Sequence, residues 1–562
     1  MLNTDKKVCR KCSQLLSAYG VEYAIVSPGT RNAPMIFALK QNADIKVYSV
    51  VDERSAAFIA LGIATMHCRP VALVCTSGTA ALNYAPAIAE AYYRNAPLVV
   101  ITADRPAEMI DKQRTQTIRQ PGIYANFIRY SCNINEGSDC SDVDFCLKDC
   151  MKRMSGPIHI NLQLQEPLGN VIEVEDSKID SAELFKEPLD IIQRRLQILS
   201  EILSKKKVLV LVGHEMASSM GRRDPYLSTA ITSRSNIAVF ADVTSGLHSE
   251  NVMGNIGTTI KSMYHKIINE LKPDYVITCG GSIVDQSAIE ILKNVPGLKH
   301  ISVNAEGVEY DTFGCLEKTI QSDYIALFEM VVPLLKDEEN RSNFHDEWTS
   351  ASRHAYNCAL TISNDARWSQ MKATRYILDR SDDINLQLGN GMTVRYAQFF
   401  ENKCNTVMGN RGVSGIDGSI STAIGAAISD RERTTVLLIG DMSFQYDMGA
   451  LACNFIPDNL KIVVMNNAGG GIFRLISNTR NLPIMENCLA SITNVPVQQL
   501  AEAYGFSYYK AENNADLELN YPVFIKTKQK AIFELTLQSE IDNKIFNNYI
   551  SIINGNKNLD KN

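Results

Sequence analysis

The sequence predicts an α/β protein of three doubly wound parallel-sheet domains, on three observations. Short apolar, β-branched runs bounded by polar and Gly residues recur along the 562 residues, as in parallel strands buried on both faces. They alternate with Ala-rich stretches of helical length, the pattern of crossover helices. Two polar connectors interrupt the alternation and divide the chain into three units.

In the first unit, about residues 4–168, the runs 23–26, 71–76, 98–102 and 158–162 read as strands, and 56–66 and 80–93 as helices. An acidic connector over 173–190 follows. The second unit, about 191–335, repeats the pattern through runs 208–212, 238–241, 275–278 and 300–303. A polar linker over 336–345 leads through helices to the third unit, about 385–552. There, runs 434–439 and 460–465 flank a crossover helix expected over 444–454. The polar tail 554–562 reads as frayed. The first and third units are alike in length and pattern, and no short-period repeat is present.

A formal charge of −6 argues against nucleic-acid or acidic-membrane partners, which need a basic surface. No run reaches the ~20 apolar residues of a membrane span. Residues 1–12 carry no apolar signal segment, so the expected location is cytoplasmic. There the fourteen cysteines read as reduced thiols, many of them buried. Cys9 and Cys12 form a lone CxxC, without the second pair a zinc site requires.

Two constellations carry chemistry. Gly440-Asp441-Met442-Ser443 and Asn466-Asn467-Ala468-Gly469 each follow an apolar run, at strand ends where open α/β sheets bind ligands. The Asp441 carboxylate, the Asn467 side-chain oxygen and the Gly469 carbonyl make half an octahedral oxygen shell, suited to Mg²⁺ (or Mn²⁺) completed by phosphate oxygens. Capping Asp and Asn residues of an ordinary strand–helix turn fit the same pattern. Asp52-Glu53-Arg54 places a Glu at a strand end before a small-residue helix, where the helix dipole alone also favours an acid.

The carboxylate–amide pair resembles the diphosphate motif of thiamine-diphosphate enzymes. In that family a Glu shares a proton with N1′ of the aminopyrimidine, and the imino tautomer so favoured takes the thiazolium C2 proton. Glu53 stands at that position, and Thr76-Ser77-Gly78-Thr79-Ala80 supplies the turn beside the aminopyrimidine. Blocks over nearly the whole chain resemble one branch, the 2-succinyl-5-enolpyruvyl-6-hydroxy-3-cyclohexene-1-carboxylate synthases of menaquinone biosynthesis. They are Ser27-Pro28-Gly29-Thr30-Arg31-Asn32-Ala33-Pro34, Thr102-Ala103-Asp104-Arg105-Pro106, the block Gln116–Gly122, and Asn410-Arg411-Gly412 with Gly415-Ile416-Asp417-Gly418. The resemblance implies the thiamine-diphosphate enzyme fold: a pyrimidine-binding domain (1–172), a central domain (191–335) and a diphosphate-binding domain (360–553). It implies decarboxylation of 2-oxoglutarate and conjugate addition to isochorismate. It also implies a homodimer or dimer of dimers with active sites at the subunit interface.

By motif position, Asn390, Met442, Ser443 and Gly469 join Glu53, Ser77, Gly78, Asp441 and Asn467 around the cofactor, with Ile416 wedged beneath it. Both partners, the 2-oxo acid and its acceptor, are anionic, and Arg forks suit carboxylates. The implied substrate contacts are Thr30, Arg31, Arg105, Gln116, Arg395 and Arg411. Of these, Arg31, Gln116, Arg395 and Arg411 join Glu53 as catalytic candidates. A surface or inter-domain ion pair is the alternative for any single Arg. Ile472 and Phe473 would wall the reacting carbon, or serve as plain core.

Four residues at three places depart from the branch. Gln286-Ser287 stand where a Lys-Arg pair is usual, Gly391 where Ser is usual, and Thr30 where Ser is usual. Each charge-assisted hydrogen bond lost to a carboxylate costs ~1.5–3 kcal/mol. These changes leave room for an alternative, a paralogous carboligase with a less anionic acceptor in a secondary or surface-carbohydrate pathway. A third reading, binding without turnover, conflicts with the joint presence of Glu53, Asp441 and Asn467. A nicotinamide enzyme is excluded because no GxGxxG follows a strand with an acid ~20 residues on.

Overall fold

The computed structural model describes residues 1–150, 156–175, 179, 189–215, 226–247, 249, 251–337, 341–476, 478–491 and 494–554. Most of the acidic connector, part of the polar linker and nearly all of the tail lie outside them. The chain forms two compact units: Met1–Lys186 with Gly412–Glu432 and Tyr446–Pro457, and Glu187–Arg411 with Arg433–Gln445 and Asp458–Asn562.

The first unit holds a six-stranded sheet in the spatial order Lys46–Ser49, Tyr23–Val26, Val71–Cys75, Leu98–Asp104, Ile158–Gln163, Tyr130–Asn135. All five pairings are parallel. The expected strands are present; the two edge strands, Lys46–Ser49 and Tyr130–Asn135, lack a buried apolar run, and the sequence pattern does not predict them. Alternate residues of the sheet pack with the helices Lys7–Ala18, Ala33–Lys40 and Ser141–Cys150 into one core, which includes Cys9, Cys12, Cys140, Cys146 and Cys150. The CxxC thiols are therefore core residues. None of the fourteen cysteines forms a disulfide.

The helix Glu53–His67 lies against Ser419–Ser429 at backbone distance. A Cβ on Gly62 would stand 2.1 Å from the Thr422 carbonyl oxygen, and one on Gly425 would stand 2.2 Å from that of Ile59. Only glycine allows this approach, and it fixes the helix whose first residue is Glu53. The N-terminal turn of Ser419–Ser429 is held by Asp447, whose carboxylate accepts from the Ser421 backbone N (2.7 Å) and Oγ (2.9 Å).

Burial raises the Asp447 carboxyl from 3.8 to about 7, against the Ser421 hydrogen bonds and the charge of Arg54. A raised pKa means that the fold holds this proton more tightly than the unfolded chain does. The contribution to stability is complete below 3.8 and is lost as pH rises through about 7. Asp447→Asn is therefore expected to flatten the thermal-melting profile between about pH 4 and pH 7. Parallel profiles for parent and variant would contradict this.

The second unit holds two sheets. The five-stranded one runs Ile237–Ala241, Val208–Val212, Tyr275–Cys279, Lys299–Asn304, Leu316–Gln321, all parallel. The six-stranded one runs Thr406–Met408, Asn385–Leu388, Thr435–Gly440, Leu460–Asn466, Ala531–Thr536, Ser507–Ala511, again all parallel. Numbered along the chain, both six-stranded sheets have the order 2-1-3-4-6-5. The likeness of residues 4–168 and 385–552 is thus a shared topology. Each has its switch point between its first and third strands, where open α/β sheets bind ligands.

Two helices differ from expectation. The stretch 80–93 forms two helices, Thr79–Asn83 and Ala85–Arg94, with Pro86 in the first turn of the second. The crossover begins at Asp441 itself, as Asp441–Asp447, and tightens to a 3₁₀ turn at Met448–Ala452. Asp441 therefore sits in the first helical turn, where the backbone dipole favours a carboxylate. Gly449, a poor helix former, falls at the tightening.

Candidate active site

In the first unit, the switch-point loops are Ser27–Arg31 and Thr76–Gly78. They touch closely: a Cβ on Gly29 would stand 2.3 Å from Thr76 Cβ. Gly78 adopts φ +87°, and its N–H donates to Gln120 Oε1 at 2.9 Å. The Gln116 backbone lies over Gly78, with Gln116 itself at φ +51°. Ser77 is buried beside it. Gln120 lies inside the block Gln116–Gly122 but is not among the predicted site residues. Fully buried, it also donates to the Ala103 carbonyl (3.2 Å) and Asn161 Oδ1 (3.1 Å), tying the Gln116 loop to the sheet.

Glu53 opens its helix behind the cap Asp52, whose Oδ1 accepts from the Arg54 and Ser55 backbones at 3.0 and 3.3 Å. Its charge reaches the buried Cys75 thiol and Tyr84 phenol; burial first, then charge, pushes both upward. Glu53 itself is half-buried at the start of that helix.

Arg31 is buried, donating to the Leu164 carbonyl (2.9 Å) and pairing with Glu166 (3.0 Å). Arg105 donates through Nε to the Thr115 carbonyl at 3.0 Å. Burial raises the Asp104 carboxyl, opposed by hydrogen bonds from Asn161 and the Arg105 backbone and then by the charges of Arg31 and Arg105. Thr30 is exposed. Ile416, an exposed apolar side chain, lies just before Gly418 and the helix Ser419–Ser429. That loop is fixed by Glu90, also missed in the sequence, whose carboxylate accepts from Gly412 N (2.7 Å) and Val413 N (2.6 Å).

In the second unit, Asp441 directly follows the third strand of the last sheet, Thr435–Gly440, and is buried. Its Oδ2 accepts from Gly469 N (2.7 Å) and its Oδ1 from Met442 N (2.8 Å). Burial raises its carboxyl to about 6, against backbone donors only. Ala468 at φ +61° and Gly469 at φ +134° turn the chain back toward the carboxylate. Asn467 donates its amide N–H to Asp542 Oδ2 at 3.5 Å, presenting Oδ1 on the other side. Ser443 is buried in the same helical turn. A Cβ on Gly470 would press on Phe473 (2.7 Å) and Met442 Sδ (3.0 Å), so these two side chains meet at the Gly turn, with Ile472 half-buried next to them.

Among the described residues no group of three or more His, Cys, Asp or Glu side chains suits a metal. A metal here would rest on one carboxylate, one amide and one carbonyl, a hard-oxygen set fit for Mg²⁺ or Mn²⁺ completed by phosphate.

The adjoining strand, Asn385–Leu388, leads to Asn390, whose Nδ2 donates to the Asn410 carbonyl (2.7 Å). Asn390 Oδ1 accepts from Arg411 Nη1, also at 2.7 Å. Arg395 donates to the Gly391 carbonyl, and burial and the like charge of Arg411 depress its pKa while Asp285 opposes the drop. Arg411 is buried and Arg395 half-buried, and like charges that bear on each other favour an anion nearby. Ser282 Oγ, from the central-sheet loop, donates to the Arg411 carbonyl at 3.1 Å.

The departures take a definite form. Asp285 caps the helix Gln286–Lys293, with Gln286 exposed and Ser287 N bound to the Asp285 carboxylate (2.7 Å). Gly391 has φ +94° and open space around an added Cβ. Gly391→Ser should therefore fit sterically but cost about 1–3 kcal/mol of stability for its backbone. An unchanged melting temperature would refute that strain.

Two family models match the chain. The thiamine pyrophosphate enzyme N-terminal TPP binding domain covers residues 7–123, and the C-terminal TPP binding domain covers 389–534. A 2-succinyl-5-enolpyruvyl-6-hydroxy-3-cyclohexene-1-carboxylate synthase of Flavobacterium psychrophilum is 34% identical over 543 residues, 95% of this chain and 97% of its own. Proteins of the same name from Porphyromonas gingivalis (32%; 98% of each chain) and Desulfotalea psychrophila (32%; 87% and 91%) are also similar. The chain belongs to the 2-succinyl-5-enolpyruvyl-6-hydroxy-3-cyclohexene-1-carboxylate synthase family and carries both of its thiamine pyrophosphate-binding domains.

Proposed function

We propose that the protein decarboxylates 2-oxoglutarate with thiamine diphosphate and adds the succinyl unit to isochorismate, a step of menaquinone biosynthesis. The observation that carries this reading is the pairing, at adjoining strand ends, of the buried Asp441 carboxylate with Asn390 and the Arg395–Arg411 pair. Bound thiamine diphosphate supplies the electron sink for loss of CO₂. Asp441, Asn467 and the Gly469 carbonyl would hold Mg²⁺ or Mn²⁺ against its diphosphate. Glu53 would hold a proton at N1′. Ser77, Gly78, Met442 and Ser443 would border the cofactor, and exposed Ile416 would support it. Arg31, Arg105, Gln116, Arg395 and Arg411 would bind and orient the substrate carboxylates, while Ile472 and Phe473 exclude water.

We further propose residues 1–172, 191–335 and 360–553 as pyrimidine-binding, central and diphosphate-binding domains of a cytoplasmic homodimer or dimer of dimers. Glu53 from one subunit would meet Asp441 from another. Its helix start carries exposed apolar surface at Val51 (80%), Tyr446 (50%) and Met448 (40%), with Arg54 stacked on the Tyr446 ring at 4.8 Å. Such a patch suits burial against a second copy. No helix among the described residues is long and apolar enough to cross a membrane. The relatives' shared name does not favour the less anionic acceptor. The test is CO₂ release from 2-oxoglutarate: strong acceleration by isochorismate supports the reading, and indifference to isochorismate removes that acceptor.

A further inference from the structure

The arginine pair is held from outside its own sheet. Asp242, at the end of the central strand Ile237–Ala241, is 5% exposed and accepts four hydrogen bonds. Oδ1 takes the Thr244 backbone N (3.0 Å) and Oγ1 (2.8 Å). Oδ2 takes Val284 N (2.7 Å) and Gln398 Nε2 (2.8 Å). Gln398 returns the contact, its Oε1 accepting from Val243 N at 3.3 Å. Gln398 caps the end of the helix Met392–Ala397, which carries Arg395. Val284 belongs to the loop whose Ser282 holds the Arg411 carbonyl and whose Asp285 bears on the Arg395 charge.

A single carboxylate oxygen therefore joins the two supports of the anion site, the Arg395 helix and the loop behind Arg411. Every donor to it is an uncharged group, and hydrogen bonds accepted by a carboxylate are the strong and directional kind. We propose that Asp242, with Gln398, is a positioning residue that sets the spacing of Arg395 and Arg411, and so gives the central sheet a part in binding the substrate carboxylates. This rests on the reading of that arginine pair as the anion site. Replacing Asp242 Oδ2 by an amide NH₂ would set donor against donor at Val284 and Gln398, or after a flip at Thr244, so the supports should part.

The test uses the full-length holoenzyme with 2-oxoglutarate as probe. Asp242→Asn and Gln398→Met are each expected to raise KM for 2-oxoglutarate about tenfold or more, with kcat changed less and thiamine diphosphate affinity, measured by calorimetry, unchanged. A carboxylate at position 398 can accept from an amide at position 242, so Gln398→Glu in the Asp242→Asn background should recover part of the KM. A fall in melting temperature with KM unchanged in both single variants, or no recovery in the double variant, would overturn the proposal. Should Asp242→Asn fail to fold, Gln398→Met decides it alone. Arg395→Met separates the two ideas. If it leaves KM for 2-oxoglutarate unchanged, the anion-site reading fails; if it raises KM while both single variants at 242 and 398 do not, only the positioning role fails.

Discussion

Glu53→Gln is expected to lose turnover by about 10²–10⁴-fold while thiamine diphosphate affinity stays within a few-fold of the parent. The argument is one of proton position. Gln keeps the length and hydrogen-bonding shape of Glu but cannot share a proton with a ring nitrogen. The helix start holding residue 53 is fixed independently, by the Asp52 cap and by the glycine-to-backbone contact of Gly62 and Gly425, so the substitution should leave the scaffold in place. Hydrogen–deuterium exchange at the C2 position of bound cofactor should slow by a similar factor. Normal turnover in the variant would deny Glu53 its role, and joint loss of binding and turnover would make it a structural residue.

Asp441→Asn is expected to weaken thiamine diphosphate and metal binding together, by more than the roughly 10–100-fold typical of groups that only orient a metal ligand. A carboxylate that is buried, held by backbone donors and raised to about 6 gains most from a cation. The amide would also turn an N–H toward Gly469 N or Met442 N, each of which now donates to the carboxylate. The same pKa fixes the pH dependence. Binding needs the ionised carboxylate, so apparent affinity should be level above about pH 6 and fall roughly tenfold per unit below it. Calorimetry in two buffers should show proton release on binding near pH 6. A flat affinity profile from pH 5 to pH 7, or an Asn variant that binds normally, would exclude Asp441 as the metal ligand.

The sequence showed the central strands and the chemistry at their ends because both are local. Runs such as 208–212 and 460–465 have the length and flanks of buried strands, and Asp441 and Asn467 stand just beyond such runs. Edge strands like Lys46–Ser49 and Leu316–Gln321 carry mixed side chains because one side meets solvent, and they left no such signal. The supporting acids were out of reach for a different reason. Glu90 meets Gly412 across 322 positions, Asp542 meets Asn467 across 75, and Asp242 meets Gln398 across 156. Each is an ordinary polar residue until folding brings its partner. The arginines were legible as cations, but not their partners: Arg31 pairs with Glu166, whereas Arg395 donates to the Gly391 carbonyl and Arg411 to Asn390.

The most direct measurement is the mass of the product formed from 2-oxoglutarate and isochorismate with thiamine diphosphate and Mg²⁺. A decarboxylated succinyl adduct of the cyclohexene carboxylate is the predicted result. Release of succinic semialdehyde with isochorismate recovered intact would contradict the assignment, leaving a thiamine-diphosphate decarboxylase with another acceptor.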